Sequence, residues 1–231
     1  MATVTDLLMP KRGIAVPEIP SYIKFDGAFG LGEGTLLGDK SRYRSHGTIS
    51  GATWATGAHG KCLDFNAADK DYVEITPTPT QLNFTSEDFS LIARVYVDDL
   101  TDSKLIFDRS KPWVQDGYQM QANKDGSIRL YTSQDGATRY TASTTIVSVA
   151  TWYTFGISRV GAAVKTYING VDRTSIIGTH IDPKTSSQTA VIGVAGDKVT
   201  WPFDGKIEFL RIFGGIALPA ASHLAYHNAL A

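Results

Sequence analysis

From about residue 23 onward, apolar residues fall on every second position in short runs, the spacing of strands with one buried face. Leu91, Ala93, Val95 and Val97 alternate within Ser90–Val97 and predict a half-buried strand. Tyr118, Met120 and Ala122 alternate, Lys124-Asp125-Gly126 supplies a turn, and Ile128 and Leu130 alternate back, which predicts a hairpin. Gln134-Asp135-Gly136 marks the next turn. Tyr153, Phe155 and Ile157 form a further strand that ends near Gly161. Val164, Thr166 and Ile168 then run into Asn169-Gly170, the strongest short hairpin signal. Ala190 to Val194 and Lys206 to Phe213 are two more strands. Only Ala220 to Leu230, entered through Pro219, has helical character. Turns this closely spaced favour a sandwich or barrel over βαβ units.

Residues 1–22 break the pattern. Pro10, Pro17 and Pro20 interrupt apolar residues that have no helical period. Proline removes a backbone donor and holds its predecessor extended, so this stretch reads as an extended N-terminal arm ahead of a sandwich spanning 23–231. Its apolar side chains, Leu7, Leu8, Met9 and Ile14, are the expected anchors onto another subunit.

Composition narrows the function. The 231 residues carry 22 Lys plus Arg against 23 Asp plus Glu. A net charge of -1 argues against nucleic-acid binding, which draws on concentrated positive charge. The lone Cys62 excludes an intrachain disulfide and reads as an inert core thiol. No stretch approaches the length of a membrane span. The opening MATVTDLLMPKRG lacks the apolar core of an export signal.

Several segments together resemble the concanavalin A-like lectin superfamily, in its laminin-G-like and pentraxin-like form. They are Phe25-Asp26-Gly27, Trp54-Ala55-Thr56-Gly57, Gly60 to Phe65, Trp152 followed by Tyr167-Ile168-Asn169-Gly170, and Phe203-Asp204-Gly205-Lys206-Ile207-Glu208. The resemblance implies an all-β fold: an antiparallel jelly-roll β-sandwich with a short C-terminal helix. Trp54, Phe65, Trp152, Phe155, Ile168, Ile207 and Ile212 are its expected core. It also implies a structural calcium ion between Asp26 and Glu208, although the family more often has Asp at the second position. Calcium takes about six to eight oxygens, and the competing reading is that Asp26 caps a turn while Glu208 pairs with a lysine.

Catalysis finds little support. The five glutamates, Glu18, Glu33, Glu74, Glu87 and Glu208, form no alternating carboxylate set on one strand of the kind a glycosidase needs. His223 and His227 share a helix face, but Leu224 stands where a zinc protease has its glutamate. They read instead as histidines favoured near a helix C-terminus. Trp113, Tyr118 and Trp201 are candidate contacts for a glycan or a partner, the alternative for both tryptophans being packing over the sandwich edge. Lys40-Ser41-Arg42-Tyr43-Arg44 is a basic loop, either solvated or in contact with phosphate or an acidic partner. Asn83-Phe84-Thr85 is a glycosylation sequon, meaningful only in a eukaryotic secretory path.

The sequence-based expectation is therefore a non-enzymatic structural protein, with no cofactor beyond that calcium. It would be a bacteriophage virion component, in capsid decoration, tail or fibre, assembling as a homo-oligomer through the arm. The alternative is a carbohydrate-binding module of a secreted microbial protein, extracellular and bound to a surface glycan. Neither reading involves nucleic acid or membrane.

Overall fold

A computed structural model describes residues 21–75, 79–111, 116–187 and 189–230. The strands among them, in chain order, are β1 (Ile23–Asp26), β2 (Leu36–Leu37), β3 (Gly47–Ser50), β4 (Thr53–Thr56), β5 (Lys61–Phe65) and β6 (Tyr72–Ile75). They continue with β7 (Phe89–Val97), β8 (Lys104–Lys111), β9 (Asp116–Ala122), β10 (Ile128–Gln134), β11 (Ala137–Ser143) and β12 (Trp152–Val160). The last are β13 (Ala163–Ile168), β14 (Val171–Asp172), β15 (Thr174–Ile176), β16 (Ala190–Ile192) and β17 (Gly205–Gly214), followed by helix α1 (Ala220–Leu230).

These strands form two antiparallel sheets, the sandwich that the residue pattern favours and the jelly roll that the family resemblance implies. One sheet runs β14-β13-β12-β7-β17-β5-β4, with β1 also on β17, and the other runs β15-β11-β10-β9-β8-β16-β6-β3-β2. First and last strands meet, with Asp26 opposite Arg211. The inward phase of each strand supplies the core: Leu91, Ala93, Val95 and Val97 from β7, Met120 and Ala122 from β9, Phe155 and Ile157 from β12, and Ile207, Leu210 and Ile212 from β17. Asn169 (φ 51°) and Gly170 (φ 75°) both adopt left-handed backbone in the β13–β14 turn. This is the geometry whose twist matches a two-residue hairpin.

Three expectations change. Strand β7 is buried on both faces, because α1 and its entry segment cover the outer side. Ile92 packs there with Ile23, Phe209, Phe213, Leu218 and Tyr226 in a second apolar cluster. Trp152 is not in the core. Tyr153, Phe155 and Ile157 take the inward phase, so Trp152 faces outward, half-buried, its ring 5.5 Å from Tyr96. Trp54 is also only partly buried against the core and donates from Nε1 to the Gly34 carbonyl at 2.7 Å.

Helix α1 docks through its histidines. His223 is buried, stacks on Tyr167 at 4.0 Å and lies 2.8 Å from the Ser158 hydroxyl through Nε2. Burial pushes its pKa down to about 3. The expected role, a cation near a helix C-terminus, is therefore corrected: His223 is a neutral packing group.

Candidate functional site

The strongest candidate is the solvent face of β9, β10 and β11. Tyr118, Met120, Ala122, Ile128 and Leu130 point into the core, so the pleat turns Gln119, Gln121, Arg129 and Tyr131 outward. Register places them in rows. Asp108, Gln119, Tyr131 and Tyr140 lie opposite one another across β8 to β11. Beside them run Gln121, Arg129, Ala142 and Ile176.

The two tyrosine rings form an aromatic strip, with centroids 5.4 Å apart and planes inclined by 32°. Tyr140 is 37% exposed. Arg129 lies over the Tyr140 ring at 5.0 Å and donates from Nη1 to the Tyr131 hydroxyl at 3.2 Å, while its Nη2 pairs with Asp125. Gln121 Nε2 donates to the same Tyr131 oxygen at 3.3 Å. The Gln121 carbonyl oxygen is buried without a partner. Gln119 Nε2 reaches the Ser110 hydroxyl at 2.7 Å. Apolar ring surface thus lies beside fixed amide and guanidinium donors, the mixture that fixes the orientation of a polar ligand.

The loop after β16 covers part of this sheet. Gly196 donates its N–H to Asp108 Oδ2 at 2.7 Å, and Lys198 pairs with Glu74 at 2.8 Å. Asp108 is fully buried, accepts the Ser110 N–H at 2.8 Å, and burial pushes its pKa up to about 6. Trp201 ends this loop with left-handed backbone (φ 50°), and its carbonyl accepts the Leu105 N–H at 3.0 Å. Its side chain is half-buried.

The other sequence-predicted residues fare differently. Tyr118 is corrected from a contact to a core residue: it is 1% exposed, packs among Phe84, Phe89 and Phe107, and donates its hydroxyl to the Leu82 carbonyl. Trp113 and the arm residues Leu7, Leu8, Met9 and Ile14 lie outside the described residues. Asp26 and Glu208 are each taken by an arginine. Asp26 Oδ2 meets Arg211 Nη2 at 2.7 Å, and Glu208 Oε2 meets Arg94 Nε at 3.1 Å. No group of three or more His, Cys, Asp or Glu side chains among the described residues gathers to hold a metal. The donor set does not fit calcium: guanidinium groups occupy both expected carboxylates. Asn83 turns its side-chain oxygen to buried Arg109. Gln119, Gln121, Arg129, Tyr131 and Tyr140 escaped sequence reasoning, although the inward phase at Ile128 and Leu130 already left position 131 outward.

The profile of the concanavalin A-like lectin/glucanases superfamily matches residues 67–222, and the chain belongs to this family. No curated protein matches the sequence. Among solved structures, similar folds include domain 4 of AbnA, a GH43 extracellular arabinanase from Geobacillus stearothermophilus, in complex with arabinotriose. That match has 21% identity and a TM-score of 0.66, covering 90% of this chain and 98% of the other. The binding domain of botulinum neurotoxin DC in complex with SialylT matches at 15% identity and a TM-score of 0.66. It covers 93% of this chain but only 53% of the toxin chain. The binding domain of Paraclostridial Mosquitocidal Protein 1 matches at 15% identity and a TM-score of 0.64, over 92% of this chain and 53% of the other. The chain therefore spans about half the length of the toxin domains. At these identities the likeness is one of fold. No helix among the described residues is long and apolar enough to cross a membrane.

Proposed function

We propose that this domain is a non-catalytic carbohydrate-binding module of an extracellular protein, with its ligand lying across the solvent face of β9, β10 and β11. The observation that carries the reading is the pair of half-buried Tyr131 and exposed Tyr140, flanked by Gln119 and Arg129, with buried Gln121 anchoring the Tyr131 hydroxyl from below. A sugar presents an apolar ring face and a rim of hydroxyls, and this surface offers both complements. The similar folds include a domain solved with arabinotriose and another solved with SialylT, which supports this reading over a virion component. Of the carboxylates described on this face, Asp108 is fully buried, Glu74 is tied to Lys198 and Asp125 to Arg129, and Asp135 at its edge pairs with Lys184. The assembly reading, with a homo-oligomer or phage particle tethered by the arm, rests on residues outside the described ones and gains nothing from the sandwich.

The test is calorimetric titration of the full chain against neutral plant and bacterial oligosaccharides, arabinotriose among them, for the native protein and the Y131A/Y140A variant. Binding that disappears in the folded double variant supports the module. Binding that survives it, or no binding to any oligosaccharide offered, overturns it. If deletion of residues 1–22 abolishes oligomerisation of the native chain, assembly becomes the better reading.

A further inference from the structure

A second site lies on the opposite side of the sandwich, where β1 pairs with β17. Ser21, Ile23, Asp26, Lys40, Ser41, Arg42 and Arg211 enclose an open cavity of about 480 Å³, within the size range of small-ligand sites. Six of these seven residues are polar or charged. Three are cations and one is a carboxylate, so the lining carries a net charge of about +2 within a chain whose total is -1.

The loop that supplies Lys40 and Arg42 is fixed in place. Asp39, 1% exposed, accepts the N–H groups of Asp26, Ser41 and Ser45 at 3.0, 2.8 and 2.9 Å and the Ser41 hydroxyl at 2.8 Å. The Lys40 N–H donates to the Asp26 carbonyl at 2.8 Å. A single buried carboxylate therefore clamps the basic loop onto β1, so ordering the loop adds little cost to binding.

The charges inside are unevenly matched. Asp26 and Arg211 neutralise each other at 2.7 Å, both about nine-tenths buried. Even so, Asp26 Oδ1 and Arg211 Nε have no hydrogen-bond partner, and buried polar groups are rarely left so. The Lys40 ammonium has no ion-pair or hydrogen-bond partner among the described residues, and it lies half-buried. Burial lowers its pKa, Asp26 opposes the shift, and Arg211 adds to it. Arg42 is exposed, with Nη2 2.7 Å from the Tyr43 hydroxyl. Lys40 and Arg42 thus face the cavity beside an Asp26 carboxylate already paired with Arg211, so positive charge there is in excess.

We infer that this cavity binds the acidic group of an anionic sugar, with Lys40 and Arg42 meeting the acid and exposed Ser21 at the rim meeting a hydroxyl. A polar lining with one aliphatic residue disfavours an apolar ligand, and excess positive charge disfavours a neutral sugar. The inference rests on the carbohydrate-binding reading and adds a ligand class to it at a separate place in the fold.

The experiment titrates the full chain with glucuronic acid, glucose 6-phosphate, glucose and inorganic phosphate, in the native protein, in K40Q/R42Q and in Y131A/Y140A, with circular dichroism as the check on folding. The expected result is binding of one or both acidic sugars, weakened about tenfold or more in folded K40Q/R42Q and unchanged in Y131A/Y140A. Raising salt from about 50 to about 500 mM weakens it several-fold, as screening requires. No binding of either acidic sugar, binding undiminished in K40Q/R42Q, or inorganic phosphate bound as tightly as the sugars overturns the inference. Neutral oligosaccharide bound through the tyrosines with no acidic sugar bound removes this site alone. Acidic sugar bound through Lys40 and Arg42 with no neutral ligand at the tyrosines keeps it and removes the sheet-face reading.

Discussion

Arg94 and Glu208 meet at 3.1 Å on the outer face of the eight-stranded sheet, and each side chain is only 7% exposed. Glu208 sits where the register of β17 slips against β7, between Ile207 and Phe209. It also accepts the His59 N–H at 2.6 Å. Arg94 lies 5.5 Å from the Trp152 ring. Removing one partner of a buried pair strands the other charge, at about 3–5 kcal/mol, whereas apolar replacement of both is often close to neutral. R94M is therefore expected to lower unfolding stability by several kcal/mol and R94M/E208M to recover most of the loss. Urea unfolding of the two variants checks this; equal losses would mean that Arg94 acts only through packing on Trp152.

Gly205 carries a backbone requirement at the start of β17. Its φ is 131°, which side-chain-bearing residues rarely adopt, and an added Cβ would overlap the carbonyl oxygen of Tyr96. G205A combines strain with a backbone clash, and strained backbone alone costs on the order of 1–3 kcal/mol. The expected outcome is a loss of at least that size, with a melting temperature lowered by several degrees. A melting temperature within a degree of native would show that β7 and β17 separate easily at this point.

Buried titratable groups set the acid limit of stability. His223 and His180 are pushed down to about 3 and about 4, chiefly by burial. His180 is held between the hydroxyls of Thr132 and Thr141 at 2.7 and 2.9 Å. Both fold neutral, so below about pH 6.5 the unfolded chain binds more protons and stability falls as pH falls. Asp108 works the other way. Raised to about 6, it binds its proton more tightly when folded and offsets one histidine between about pH 4 and 6. These three groups together leave a net loss on the order of 1 kcal/mol per pH unit in that window, and His227, lowered by burial, and Glu74, lowered by its bond to Lys198, add to it. In D108N the offset disappears and the acid-side slope steepens; in H223F it flattens. Chemical unfolding at a series of pH values distinguishes these slopes, and parallel curves for native and D108N would remove Asp108 from the account.

Much of this architecture was legible because it is written locally. Period-two alternation fixed the inward faces of β7, β9, β10, β12 and β13, and Asn169-Gly170 fixed a turn through its two left-handed residues. The same alternation also sets the side chains that flank each inward run. With Tyr153 and Phe155 inward, Trp152 must face out; with Met120 and Ala122 inward, Tyr118 must face in. Family likeness pointed the other way for Trp152, and the pleat prevailed. Long-range contacts had no local signature. Gly196 reaches Asp108 across 88 positions, and Arg211 reaches Asp26 across 185. Such pairings depend on which strands become neighbours, so the covered part of the nine-stranded sheet was not visible in the sequence, and the basic loop 40–44 was legible as a candidate anion contact without its seat against Asp26 and Arg211.

The tyrosine strip separates recognition from folding. Tyr140 is 37% exposed and contributes little to the core, so Y140A should change stability by about 0.5 kcal/mol or less, as surface substitutions usually do. Its effect on glycan binding should be larger. Aromatic truncations at the centre of a contact commonly cost more than about 1 kcal/mol, roughly fivefold or more in affinity. Tyr131 acts in two ways. Its ring extends the strip, and its oxygen receives both Gln121 Nε2 and Arg129 Nη1. Y131F keeps the ring and removes that acceptor, releasing both donors from their shared anchor. If donor orientation matters for recognition, Y131F should weaken binding measurably while Y140F, which leaves those donors tied to Tyr131, should bind nearly as the native protein does. Affinities from calorimetry, set beside melting temperatures of the same samples, make the comparison. Losses in both variants that track their stability would show that the strip serves the sheet and not a ligand.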